Sequence, residues 1–139
     1  MAVKELVHDP MLLAQKSVPA SDCAEDRQTV TDLLDTLRAH LDGCVGMAAN
    51  MIGVKKRIIV VAGLGHFAMV NPVIVSTSKP YDAEEGCLSL LGGPRKCKRY
   101  GEIEVSYLDG NFKQQRQKYS GWIAQIIQHE VDHCDGVLI

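Results

Sequence analysis

Two histidines four residues apart, with a glutamate directly after the first, constrain this chain more than any other feature: His129-Glu130-Val131-Asp132-His133. On an α-helix, residues four apart share a face one turn from each other, so both imidazoles can close on a single metal ion. Glu130 then stands beside the metal without being a ligand, where it can take a proton from a water held there. Such a site is incomplete, because a hydrolytic metal takes three protein ligands and keeps a fourth position open. In the metallopeptidase pattern H-E-x-x-H-x-x-G-x-x-H the closing ligand lies ten residues after the first histidine, and the chain follows that pattern as far as Gly136. The closing position is Ile139, which cannot bind metal, so the third ligand is expected upstream.

The rest of the chain is read for what could surround such a helix. At 139 residues it fits one domain, 1–139, able to bury roughly two thirds of its unfolded surface without staples. Apolar content of 46% with 23% charged residues suits a globular protein rather than a disordered or fibrous one. A formal charge of -2 gives no electrostatic case for nucleic acid or an anionic membrane as partner. No apolar run is long enough to span a bilayer and the first residues lack a signal-peptide core, so the expected location is the cytoplasm. Five unevenly spaced cysteines point to reduced thiols, one of which could be the missing ligand.

Residues 1–20 show turn signals and little periodicity, and predict an irregular arm over the surface. From Glu25 to Leu41 the apolar residues Val30, Leu33, Leu34, Leu37 and Leu41 recur at helical spacing, with Ser21 or Asp22 to cap the start and Gly43 past the end. Cys44 to Gly53 is rich in small residues, which suits either a tight turn packed under a helix or a loop presenting its backbone to a substrate. Arg57–Ala62 and Phe67–Ser76 are β-branched runs around Gly63-Leu64-Gly65, the second interrupted by Asn71-Pro72. Ile103–Leu108 and Gln114–Tyr119 flank the turn Asp109-Gly110-Asn111. Trp122 to Cys134 forms the last helix, with Gly136 as its stop. Antiparallel strands packed around a C-terminal metal-binding helix make an α+β fold.

Between the two predicted hairpins lies Glu84-Glu85-Gly86-Cys87-Leu88-Ser89. Cys87, flanked by glycine and small polar residues, is a reasonable thiolate donor for zinc or iron, although a single cysteine in a reduced protein is more often a small buried apolar residue. Together these residues carry a resemblance. Glu85-Gly86-Cys87-Leu88-Ser89 resembles the E-G-C-x-S motif of the peptide deformylases, and Gln128 to His133 with Gly136 resembles their H-E-x-D-H motif. The similarity extends to Asp9-Pro10 and the strand at 57–61, covering nearly the whole chain.

The resemblance implies the peptide-deformylase fold and a metalloamidase that removes the N-formyl group from the initiator methionine of new polypeptides. It implies one ion per chain held by Cys87, His129 and His133, iron(II) in the family's usual form, with zinc, nickel or cobalt as alternatives. Glu130 would be the general base and acid, and the backbone N–H of Leu88 would help hold the developing oxyanion. Arg99 would pair with Glu85 and Asp132, bracing the two motifs, where it otherwise reads as a solvated charge at a strand start. Val45, Gly46, Met51, Trp122 and Ile126 would line a pocket for methionine, though Trp122 and Ile126 fit plain core packing equally well. The partners would be N-formyl-methionyl peptides, including nascent chains at the ribosome.

One family motif departs from the pattern. G-x-G-x-A-A-x-Q reads here Cys44-Val45-Gly46-Met47-Ala48-Ala49-Asn50-Met51, so Cys44 replaces a glycine and Met51 replaces the glutamine that donates to the formyl oxygen. A thioether cannot donate a hydrogen bond. Weakened deformylation is therefore expected. The other readings are a hydrolase of a different acyl-amide and a metal-holding paralogue that binds without turnover.

Overall fold

The computed structural model describes residues 3–42, 44–63, 65–87 and 90–137, and of residues 87 and 90–93 the backbone alone. Five strands form one antiparallel meander in sequence order: β1 (Gly46–Ala48), β2 (Ile58–Val61), β3 (Phe67–Cys87), β4 (Leu90–Leu108) and β5 (Gln114–Ser120). Three helices accompany it: α1 (Pro10–Leu13), α2 (Ala24–Ala39) and α3 (Gly121–Cys134). A 3₁₀ turn, Ala49–Ile52, follows β1.

The unbroken apolar run of β2 is explained by burial on both faces. Ile58 and Val60 enter a core with Val30, Leu33 and Leu37 of α2, whereas Ile59 and Val61 enter another with Ala124, Ile126, Ile127 and Val131 of α3. A strand alternates its side chains between faces, so a strand with a helix on each side must be apolar throughout. The predicted α2 stripe ends sooner than its periodicity suggests: Leu41 lies beyond the helix and is 42% exposed. Its start lies one residue before the expected Glu25, and the N-cap is Cys23 rather than Ser21 or Asp22, its sulfur accepting from the backbone N–H of Asp26. Asp26 in return accepts from Ser21 N at 2.8 Å.

β3 and β4 form a hairpin far longer than the β-branched runs indicate, reaching Cys87 opposite Leu90. Asn71-Pro72 does not end β3. Instead the register shifts between Val70 and Val73, and Asn71 takes φ 52°. Its amide then bonds both backbone groups of Ala20, accepting from N at 2.8 Å and donating to O at 2.9 Å. At the β4–β5 turn, Asp109 Oδ1 accepts from Asn111 N and Lys113 N, and Phe112 takes the left-handed conformation.

The N-terminal arm is more firmly placed than its sequence suggests. Leu13 is fully buried, Asp9 caps α1, and Ser17 N bonds Cys134 O at 2.8 Å. Arg57 adds an ion pair to Asp135 at 2.7 Å. At Gly136, φ is 78° and a Cβ would stand 2.3 Å from Ala14 O, so only glycine lets the arm cross the end of α3.

α3 is tied to the sheet by Gln128, which accepts from Tyr100 N and donates to Tyr100 O, each at 2.8 Å. Gln128→Leu should leave that backbone pair unmatched and destabilise the protein by about 1–3 kcal/mol, measured by urea unfolding, with little change in circular dichroism of the folded state.

Candidate active site

The buried face of α3 carries Ile126, Ile127, Gln128, His129, Glu130 and His133. Four-residue spacing brings His129 and His133 together: their Nε2 atoms are 2.9 Å apart and their rings meet at 73°. His129 Nδ1 lies 2.7 Å from Glu85 Oε1. A carboxylate can only accept, so Nδ1 carries the hydrogen, and in the neutral ring that leaves the Nε2 lone pair facing His133. Burial, with His129 beside it, pushes His133 down to about 3, so its ring is neutral at ordinary pH. Two imidazoles whose Nε2 atoms meet at one buried point are, in their neutral forms, a donor set that suits a divalent metal. Among the described residues no third histidine, cysteine or carboxylate completes such a group. The backbone of Cys87 ends β3 at this helix's partner hairpin; its side chain, and Leu88 altogether, lie outside the described residues.

Glu130 is 4% exposed, and its Oε1 has no hydrogen-bond partner among the described residues. Burial raises its carboxyl to about 7, with the charge of Glu85 adding to the effect and His129 and Arg99 opposing it. Above it passes β1. A Cβ on Gly46 would fall 2.7 Å from Ile126 Cγ2 and 3.0 Å from Glu130 Oε2, so glycine is what allows that approach.

Glu85 is held from several sides. Arg99 Nη2 donates to Oε1 at 2.6 Å and Nε to Oε2 at 3.0 Å, while Arg99 Nη1 reaches Asp132 Oδ2 at 2.7 Å. Arg99 is thus a buried bridge from the β3–β4 hairpin to α3, not a solvated charge. Burial would raise the Glu85 carboxyl, but hydrogen bonds from His129, Arg99 and Gln125 outweigh it and hold it well below the ordinary carboxylate range.

A cavity of about 430 Å³ opens beside Glu130 and His129. Val45, Gly46, Met51, Trp122 and Ile126, the residues expected to line a pocket, all line it. Trp122 is 60% exposed and forms part of the lip, whereas Ile126 is 3% exposed and belongs to both the cavity and the α3 core. Met51 is buried, and its sulfur accepts from Ala48 N at 3.4 Å. The neighbouring amide cannot stand in for the missing glutamine, because Asn50 Nδ2 donates to His133 O at 2.9 Å, tying the loop to the end of α3. Sequence reasoning missed Gln125, which lines the cavity and bonds Glu85. The signal was present: Gln125 precedes His129 by four residues and so shares its helix face.

The family model for polypeptide deformylase matches residues 3–139. The chain is 54% identical over 138 residues to a peptide deformylase of Clostridium beijerinckii, covering 99% of both chains. It is 42% identical to one of Pelagibacter ubique, covering 99% of this chain and 84% of that one. Among solved structures it is similar to a Met-Ala-Ser-bound class I type b peptide deformylase of Acinetobacter baumannii, with TM-score 0.89 and 27% identity over 99% of this chain and 96% of that one. A peptide deformylase of Legionella pneumophila is likewise similar, with TM-score 0.89 and 32% identity over 99% of this chain and 83% of that one.

Removing Arg99 leaves a buried carboxylate without its main cation, and Arg99→Ala should cost about 3–5 kcal/mol in denaturant unfolding at neutral pH. The pH dependence has a definite sign. Because the folded carboxyl of Glu85 is depressed, its contribution is fully present above the ordinary carboxylate pKa of about 4.3 and is lost as pH falls through the folded value. The stability gap between wild type and Arg99→Ala should therefore be constant from neutral pH down to about 5 and narrow below about 4.

Proposed function

The chain belongs to the polypeptide deformylase family, and from that premise we propose how its own residues remove the N-formyl group from formylmethionine at the start of nascent peptides. The protein is a metal-dependent hydrolase, and formylated peptides are its substrates. The observation that carries the site assignment is the meeting of two histidine Nε2 atoms beside a carboxylate oxygen of Glu130 that is buried and unpartnered among the described residues, at a cavity wall.

His129 and His133, with Cys87 from the end of β3, would hold one metal ion, iron(II) by family resemblance and zinc, nickel or cobalt as substitutes. A divalent metal there would supply Lewis-acid chemistry, which lowers the pKa of a water and polarises a carbonyl. Glu130 takes one proton from the attacking water and returns it to the amine nitrogen as the C–N bond breaks, so water's oxygen and its other hydrogen leave in formic acid, which then ionises to formate. A carboxyl near 7 suits both halves of that exchange. Glu85 orients the His129 ring, and Arg99 and Asp132 hold Glu85 and the helix in register. The apolar lip of Val45, Trp122 and Ile126 receives the methionine side chain, and Gly46 keeps the backbone of β1 low enough for the substrate to reach Glu130.

The oxyanion is left with one donor fewer than the family pattern. Met51 has no side-chain donor and Asn50 is committed to His133, so the donor that would remain is, by family resemblance, the backbone N–H of Leu88. Residues 1–139 act as one domain on nascent chains in the cytoplasm as they leave the ribosome. No helix among the described residues is long and apolar enough to cross a membrane.

Formate release from formyl-Met-Ala-Ser by the iron(II)-loaded protein, measured anaerobically, tests this reading. Glu130→Ala should abolish turnover while metal remains bound, and Met51→Gln should raise kcat by about 10²- to 10³-fold, the usual worth of one oxyanion donor. Turnover unaffected by Glu130→Ala, or wild type inactive with metal bound and Met51→Gln no better, would sink it.

A further inference from the structure

The carboxylate that orients His129 has a partner besides Arg99. Gln125 Nε2 donates to Glu85 Oε2 at 2.8 Å, and Gln125 Oε1 accepts from the hydroxyl of Tyr81 at 3.0 Å. The chemistry fixes the amide's orientation at both ends, since a carboxylate demands a donor and the phenol supplies a hydrogen. The result is a continuous line from β3 to α3 and on to the ring: Tyr81 Oη to Gln125, Gln125 to Glu85, and Glu85 Oε1 to His129 Nδ1 at 2.7 Å.

We propose that Gln125, oriented by Tyr81, is a positioning residue for the metal centre, setting the torsion of the Glu85 carboxylate and through it the aim of the His129 nitrogen. The inference rests on reading His129 as a metal ligand. Arg99 alone does not fix that torsion. It already pairs with both oxygens, Nη2 with Oε1 at 2.6 Å and Nε with Oε2 at 3.0 Å, but Nε lies equally 3.0 Å from Oε1, so the carboxylate can pivot about Nε and carry Oε1 off its line to His129 Nδ1. Gln125 opposes the pivot by holding Oε2 from the far side. Partners one bond removed from a metal ligand are typically worth 10- to 100-fold in metal affinity, and the weaker end of that range suits a partner acting through Glu85.

Tyr81 is on the protein's outside at 37% exposure, and Gln125 is partly exposed at the cavity wall, so both can be altered without opening the core. Gln125→Met keeps the length of the side chain and removes both amide groups; Tyr81→Phe removes the hydroxyl alone. The measurement is zinc affinity of the folded protein by chelator competition, beside melting temperature and formate release. Gln125→Met should weaken zinc binding roughly tenfold, Tyr81→Phe should weaken it less, and the double variant should be no weaker than Gln125→Met, because the two act in series. A lowered melting temperature with zinc affinity unchanged in both single variants would make Gln125 a packing residue and overturn the proposal. Fully additive losses would overturn the series arrangement. If metal-loaded wild type releases no formate and Met51→Gln is no better, the proposed function fails while the zinc affinity comparison still decides the role of Gln125.

Discussion

The Glu85 carboxylate is the joint on which this structure depends. It sits near the end of β3, accepts hydrogen bonds from Arg99 on β4 and from Gln125 and His129 on α3, and so fastens a hairpin to a helix at the point where the chemistry is placed. Buried charge is costly, and a lone carboxylate here would be neutralised or expelled. Charge balance makes the joint possible: Arg99 stands between Glu85 and Asp132, so one guanidinium serves two acids belonging to two different motifs. The energetic gain of such a cluster over apolar packing is small by general experience, whereas its geometric demand is strict, because every donor must meet its acceptor. What it secures is register between the Glu85 end of the hairpin and the histidine helix.

Other ties keep that helix from turning or sliding. Gln128 matches the N–H and C=O of Tyr100, Asn50 binds the carbonyl of His133, and the arm residue Ser17 binds that of Cys134. Each is a polar side chain or backbone group spent on α3 from a different direction: sheet, β1 loop and N-terminal arm. Gly46 and Gly136 serve the same end by leaving room, one for β1 over Glu130 and the other for the arm across the helix terminus. The apolar cores on the two sides of β2 provide the bulk of burial, but they are tolerant of small rotations. The hydrogen bonds at the helix ends remove that tolerance.

Much of this was legible in the sequence, and the reasons for the gaps are physical. The histidine pair, Glu130 and the α2 stripe follow from helical periodicity, which is local and survives in almost any context. The pairing of Arg99 with Glu85 and Asp132 came from family resemblance, since fourteen and thirty-three residues separate the partners and no local rule links them. The length of the β3–β4 hairpin was underestimated because Tyr81 to Glu85 and Arg95 to Tyr100 are charged and polar, the composition of a solvated edge rather than of a strand interior. Asn71-Pro72 misled in the opposite direction. The pair signals a break, yet a register shift absorbs it and turns the Asn71 amide toward Ala20, an option that depends on where the arm runs. Gln125 was missed although helical spacing alone puts it on the His129 face, because glutamine on a helix is ordinarily a solvent-facing residue.

The cavity wall shows why the replacement of one donor matters in this particular site. Four donors at or near it are engaged in holding the scaffold: Gln125 on Glu85, Asn50 on the carbonyl of His133, the thiol of Cys44 on the carbonyl of Gly46 at 2.8 Å, and the N–H of Ala48 on the sulfur of Met51. A donor that is satisfied in the resting protein can help a transition state only by giving up an existing bond, and the exchange returns little net energy. Glu130 Oε1 differs, being buried and unpartnered among the described residues, so its interaction with a bound water or amine is not discounted by a bond lost elsewhere. Glu130 thus keeps an uncommitted oxygen on the group that moves protons, while Met51 offers no donor to the oxygen that gains charge. Such a site would retain proton transfer while stabilising the oxyanion less, which places the cost of Met51 in the rate of carbonyl addition rather than in the binding of the peptide.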